Sequence, residues 1–173
     1  MSDQDIRKHL VQLLDGGQAH ITFQDAVKGF PVEKAGVRPA GSPHSAWELL
    51  EHIRIALEDI VRFSGALEDS PRSAKDSALP KGYVELAWPD GYWPNAPAPA
   101  DRSQWNKSVS SIHDQLAAFI KLVEDPSRDL TKPFPWGDGQ TLLREALLIA
   151  DHNAYHLGQL MLVRRMLEAD SAH

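Results

Sequence analysis

The sequence predicts an all-α fold: a four-helix bundle with crossover connections and one long irregular loop rich in aromatic residues and proline. Three observations predict it. Apolar residues recur at three- and four-residue spacing in four or five stretches. Strand-type alternation is almost absent. Capping residues, glycines or prolines bound the periodic stretches. At 173 residues and 42% hydrophobic content, the chain reads as a single domain, 1–173, with enough apolar material for a core.

The first helix is expected from about Asp3 to Leu14, with Ile6, Leu10, Leu13 and Leu14 as its stripe and Gly16-Gly17 as its stop. A shorter helix follows, about Ala19 to Val27, ended by Gly29-Phe30-Pro31. A loop from Val32 to His44 leads to a clean start at Ser45. There Ser45-Ala46-Trp47-Glu48 has the form of a capping box, hydroxyl and carboxylate each satisfying an end N–H. This helix runs to about Ser64 and buries Leu49, Ile53, Ala56 and Ile60.

Residues 65–100 read as irregular. They hold Trp88-Pro89-Asp90-Gly91-Tyr92-Trp93-Pro94, then Pro97 and Pro99. A loop of this length inside one domain is uncommon and often functional, and its three aromatics need a surface to lie on. Asp101 caps the next helix, about Arg102 to Val123, with Ile112, Leu116, Phe119, Ile120 and Val123 facing inward; Asp125-Pro126 ends it. The last helix is expected from about Gln140 to Leu167.

Composition excludes several functions. No cysteine is present, which removes disulfides, thiolate ligands and cysteine nucleophiles. The net charge is −6 and no Lys/Arg cluster offers a phosphate-binding face, so nucleic-acid binding is not expected. No apolar run is long enough to span a membrane, and the opening Met1-Ser2-Asp3-Gln4-Asp5 is unlike a secretory signal; a cytoplasmic location is expected.

The chemistry concentrates in histidine. The last helix contains Asp151-His152-Asn153-Ala154-Tyr155-His156-Leu157-Gly158-Gln159. Residues four apart share a helix face, so His152 and His156 present imidazoles to a common point. They fall on a ridge with Glu145, Ile149, Gln159 and Val163, beside the stripe of Leu142, Leu160 and Leu167. Neutral imidazole suits zinc, nickel, copper and iron. Two histidines need a third ligand, and His52, on the flank of the Leu49–Ala56 stripe, is the best one. Three protein ligands leave a position open for water or substrate, the layout of a catalytic rather than a structural site. The alternative is that the pair forms an exposed face or supports other groups, and that His52 is a hydrogen-bonded core histidine. Zincin chemistry is excluded because Asn153, not Glu, follows His152; di-iron Glu-x-x-His pairs are excluded because no Glu stands three residues before any histidine.

Ser42-Pro43-His44-Ser45-Ala46-Trp47-Glu48-Leu49-Leu50-Glu51-His52, followed far downstream by the Asp151–Gln159 segment, resembles the DinB-like superfamily of metal-dependent four-helix-bundle proteins. The resemblance covers nearly the whole chain in order and length, and the last-helix motif is its more specific part. It implies a metal held by one histidine of the second bundle helix and two of the last, positions that His52, His152 and His156 match without departure. It also implies a homodimer. Relatives include thiol S-transferases and a thiol-dependent isomerase that use bacillithiol, mycothiol or glutathione, while many members have no known activity.

Three functions follow as expectations. The first is a metal-dependent thiol S-transferase acting on small electrophiles, with one divalent ion (zinc or nickel first, iron or manganese after them) and a low-molecular-weight thiol as cosubstrate. The second is a metal-dependent hydrolase, which needs a proton shuttle that only Glu145, two turns from the histidines, could supply. The third is a non-catalytic metal- or ligand-binding stress protein. Gln159, Glu145 and Asp59 are candidates for orienting a ligand or a bound water. Glu145 also reads as a charge favoured by the helix dipole, and Asp59 as a solvated charge. Trp88, Tyr92 and Trp93 form either one pocket wall or a lid packed on the core. His9 and His113 read as surface residues; His20 and His44 stay unassigned near a pocket mouth.

Overall fold

A computed structural model describes residues 2–67, 79–80 and 83–170, so the expected irregular stretch 65–100 lies outside the described residues at 68–78 and 81–82. Among the described residues there are five helices and no strand: α1 (Asp3–Asp15), α2 (Phe23–Val27), α3 (Ala46–Phe63), α4 (Arg102–Glu124) and α5 (Leu142–Ala169). The long helix α3 packs on α4 and α5, and α1 packs on the same two, which closes a four-membered ring; α2 lies against α5. The fold is the expected all-α bundle.

Local chemistry sets the helix starts. The Ser45 hydroxyl accepts from the Glu48 N–H at 3.2 Å and the Glu48 carboxylate accepts from the Ser45 N–H at 2.8 Å, the expected capping box. Glu48 is also paired with Arg38. A second capping box, Ser2 with Asp5, starts α1. Asp101 caps α4 through the Gln104 N–H at 2.8 Å.

Two starts differ from expectation. α2 begins at Phe23 rather than Ala19, because the Thr22 hydroxyl caps the Asp25 N–H and both Gly16 and Gly17 hold positive φ just upstream. α5 begins at Leu142 rather than Gln140. Residues 140–141 are engaged elsewhere: the Gln140 carbonyl accepts from the Phe134 N–H and Thr141 bridges Pro133, so the chain is extended there and the Thr141 hydroxyl becomes the cap.

The core runs through Trp47, Leu50, Phe119 and Leu160, all essentially inaccessible to solvent. The α3 stripe of Leu49, Ile53, Ala56 and Ile60 is buried as expected. In α4 Ile112, Phe119 and Val123 are buried, with Leu116 and Ile120 partly so. The α1 stripe is corrected. Leu13 is 49% exposed, and the buried line is Arg7, Leu10 and Leu14.

Arg7 rotates α1 because it is a cap for another helix. Its guanidinium donates to the carbonyls of Val123 and Asp125 at the C-terminal end of α4 and of Arg128 in the turn that follows, while Asp3 neutralises it one turn back. Helix ends leave carbonyls without intrahelical partners, and a buried cation there answers both the hydrogen-bond and the dipole requirement. On α3, Arg54 bridges Glu51 at 3.0 Å and Glu58 at 2.9 Å, and Arg62 continues the ladder to Glu58 at 2.8 Å. This charged edge keeps one side of an otherwise deeply buried helix in contact with water.

Replacing Arg7 by Met keeps the side-chain length and strands those carbonyls. It should destabilise the fold by about 1–3 kcal/mol, read as a lower midpoint in urea unfolding; an unchanged midpoint would show that water takes over the capping.

Candidate metal centre

The three histidines meet between α3 and α5. Capping at Ser45 sets the start of α3, and the buried stripe turns His52 inward, where it is 6% exposed. On α5 the four-residue spacing brings His152 and His156 onto one side, with His156 buried and His152 half-buried. The Nε2 atoms of His52 and His156 lie 3.1 Å apart, and those of His52 and His152 also 3.1 Å apart. Each residue offers one ring nitrogen to a group whose members all lie within 4.8 Å of one another.

The outer nitrogens decide what the inner ones are. His52 Nδ1 lies 2.8 Å from the Tyr92 carbonyl, which only accepts, so this nitrogen carries the proton. His156 Nδ1 donates in the same way to Gln159 Oε1 at 2.8 Å. A neutral imidazole has one N–H. The facing Nε2 atoms of His52 and His156 are therefore both lone pairs, at a separation where two acceptors repel. Protonating one ring would relieve this, but the surroundings oppose protonation. Burial is the leading cause that lowers the pKa of all three imidazoles. His52 and His156 are held below their ordinary value, and His152 falls to about 4, with the positive charge of a protonated His156 or His52 adding to the effect. The donor set fits a cation. Three imidazole nitrogens around a tetrahedral zinc-like ion at roughly 2.0–2.1 Å stand about 3.3 Å apart, close to the spacing observed.

The 83–97 loop holds this arrangement. The Tyr92 hydroxyl donates to Asp59 Oδ2 at 2.9 Å, two turns along α3 from His52. Burial raises the pKa of Asp59, with the bonds from Tyr92 and Tyr83 opposing that rise; burial and the Asp59 carboxylate raise both tyrosines, Tyr83 to about 12. Downstream, Trp47 Nε1 donates to the Ala96 carbonyl at 3.1 Å. Between these ties, Trp93 stacks on His52 with ring centres 4.1 Å apart and nearly parallel planes; it also stacks on His44 at 4.1 Å and stands edge-on to His156 at 6.4 Å.

The candidate residues thus separate. His52, His152 and His156 come together. Gln159 touches His156, and Asp59 acts on His52 only through Tyr92. Glu145 lies outside the histidine group: it is 2% exposed, and Arg144 pairs with it at 2.7 Å. Burial pushes its pKa up, with Arg144 opposing. Of the loop aromatics, Trp88 is 80% exposed, while Trp93 lies against His52 and lines the adjoining cavity. His9, His20 and His113 are exposed. His44 was unassigned from sequence, and no spacing rule could have joined it to Trp93, 49 residues away.

A cavity of about 710 Å³ lies beside α3, lined by Trp47, Arg54, Asp59, Tyr83 and Trp93 among others. No histidine of the centre lines it, and the two meet at Trp93.

The sign of the pH dependence follows. Imidazoles in the unfolded chain titrate near 6.5, so as pH falls the unfolded chain takes up protons before the folded one does. The metal-free protein should therefore lose stability as pH drops from about 6.5 toward 4. Asp59 and Glu145, with raised pKa values, act in the opposite sense over the acid range. The readout is accordingly a difference: His152→Leu should flatten the acid-side fall in urea midpoint between pH 6.5 and 5. A slope identical to that of the parent would contradict a neutral His152 with a depressed pKa in the folded chain.

A model of the DinB superfamily matches residues 18–160 of the chain, a span containing all three histidines. No curated protein and no solved structure matches it.

Proposed function

Because the chain belongs to the DinB superfamily, we propose that it is a divalent-metal-binding protein in which His52, His152 and His156 hold one ion through Nε2, and that it transfers a small-molecule thiol to an electrophile. One observation carries the metal reading: two unprotonated nitrogens face each other at 3.1 Å, each fixed in that tautomer by an acceptor on its far side. A buried polar group without a partner is unfavourable, and a metal cation would serve both lone pairs at once. Zinc or nickel suits three imidazoles best, with iron or manganese next.

When bound, such an ion supplies Lewis acidity at its open position, lowering the pKa of a water or thiol there. The chain's own residues do the rest. Tyr92 and Gln159 orient two of the rings, and Trp93 shields one face of His52 from water. With no cysteine of its own, the protein depends on an external thiol for a sulfur nucleophile. In the transfer, sulfur bonds to the electrophilic carbon, the leaving group departs with the electron pair, and the thiol proton passes to solvent.

The hydrolase alternative is less well supported. It needs a general base at the centre, and the only acid expected to serve is committed to Arg144. The same three histidines would serve a non-catalytic stress protein, from which turnover distinguishes the proposed enzyme.

Purified protein should carry close to one divalent ion per chain by elemental analysis, and His156→Ala should lose most of it; full occupancy in that variant would sink the site as drawn. Gln159→Ala should weaken metal binding by about 10-fold or more, measured by competition with a chromogenic chelator. Metal-loaded protein, offered bacillithiol, mycothiol or glutathione with a panel of alkylating electrophiles, should form thioethers at a rate that chelation abolishes. Ester cleavage without thiol transfer would favour the hydrolase, and inertness toward both panels would favour the binding protein.

A further inference from the structure

Among the described residues, five charged side chains line the cavity beside α3, and their pairing leaves one of them over. Arg54 bridges Glu51 and Glu58, and Arg62 reaches Glu58 at 2.8 Å, so both guanidiniums are matched by carboxylates of the same helix. Asp59 is the fifth. Its Oδ2 accepts from the Tyr92 hydroxyl, and its Oδ1 is buried with no hydrogen-bond partner among the described residues. No cation answers it there either. Burial raises its pKa, the bonds from Tyr92 and Tyr83 oppose the rise, and the one charge that acts on it, Glu85, is negative and adds to it. A carboxylate presents about four acceptor positions, and an oxygen left unused in a buried setting is unfavourable.

The lining selects the sign of an occupant. Three carboxylates against two guanidiniums make it negative, and the chain's net charge of −6 acts in the same sense. Tyr83 and Trp93 add aromatic surface, and Val84, 72% exposed, stands on the solvent side. Aromatic faces favour a cation as well, because the ring quadrupole attracts positive charge. An anion would meet the opposite field, since neither guanidinium is without a carboxylate. A neutral molecule would leave the excess charge of Asp59 unanswered. The volume, about 710 Å³, is of the size that small-molecule sites have.

We propose that this cavity is a ligand site distinct from the metal centre, and that it takes a small organic cation: an ammonium group on an aromatic or apolar body. The ammonium answers Asp59, and the body lies against Tyr83 and Trp93. The inference is independent of metal ligation, because none of the three histidines lines the cavity. The two sites nonetheless share a wall. Trp93 lines the cavity and stacks on His52, and Asp59 reaches His52 through Tyr92. A cation bound here touches the groups that hold the His52 ring.

The test is isothermal titration calorimetry of the full chain at neutral pH with three probes that share a phenylethyl body: phenethylammonium, 2-phenylethanol and 3-phenylpropionate. The cation should bind with a dissociation constant of about 1 mM or tighter, at least about fivefold tighter than the alcohol, and the anion should bind more weakly than both. Asp59→Asn keeps an acceptor for the Tyr92 hydroxyl and removes the charge. It should weaken phenethylammonium at least about fivefold and leave the alcohol within about twofold. Val84→Lys, a change at an exposed position, sets a positive charge at the cavity and should weaken the cation likewise. Binding of the cation should persist in His156→Ala and in the presence of a chelator. Circular dichroism separates lost binding from lost folding, and the probe series and Val84→Lys decide the matter even where Asp59→Asn does not fold. Equal affinity for the three probes would overturn the proposal, as would a cation that fails to bind at about 10 mM. Loss of cation binding on metal removal would do the same, because it would place the amine on the metal. So would indifference to both Asp59→Asn and Val84→Lys.

Discussion

A neutral imidazole has one N–H, and in both His52 and His156 that proton points away from the neighbouring histidine. The Tyr92 carbonyl takes one and the Gln159 amide oxygen takes the other. Everything unusual about the space between α3 and α5 follows from this commitment. Two lone pairs are held face to face in a buried setting, where protonation is disfavoured and a hydrogen bond between them is impossible. The bundle supplies the rigidity that such an arrangement needs. On the same two helices Leu49, Ile53, Ile149 and Leu160 are fully buried in the close-packed core.

The irregular loop completes what the helices begin. The helix pair brings three rings to one point and sets the tautomer of His156 through Gln159, but its backbone carbonyls are already used within the helices and none is free for His52. The 83–97 segment brings a free carbonyl, that of Tyr92, to the far nitrogen of His52. It is held there by the Tyr92 hydroxyl on Asp59 and by Trp47 on the Ala96 carbonyl. Trp93 then fills the space over the His52 ring. The same economy appears at Arg7, where one side chain of α1 satisfies three carbonyls at and just beyond the end of α4 and thereby fixes the rotation of its own helix.

Helix α5 has to satisfy two surfaces at once. Its inner side carries His156, Leu160 and Val163, and its outer side carries Leu147, Tyr155 and Leu162. The outer side also carries the exposed Asp151 and Arg165, so α5 mixes apolar and charged residues where it faces solvent.

Much of this was legible in the sequence because it depends on local chemistry. Helical periodicity placed the four long elements, the Ser45–Glu48 capping box and Asp101 fixed two starts, and the spacing of His152 and His156 placed both on one face of α5. Asn153 in place of a Glu after His152 excludes zincin chemistry on sequence alone. Tertiary contact decided the rest. A carbonyl of Tyr92 has no side-chain signature, so its role on His52 is invisible in a sequence. The stacking of His44, Trp93 and His52 joins residues up to 49 positions apart, and the exposure of Leu13 reflects a buried arginine that periodicity treats as polar. Glu145 shows the limit most clearly. Helix arithmetic placed it on the ridge of the histidines, but only packing shows that it is 2% exposed, outside the histidine group and paired with its neighbour Arg144. Sequence determines which residues share a face, because backbone geometry repeats; structure decides what that face meets, because the partners come from elsewhere in the chain.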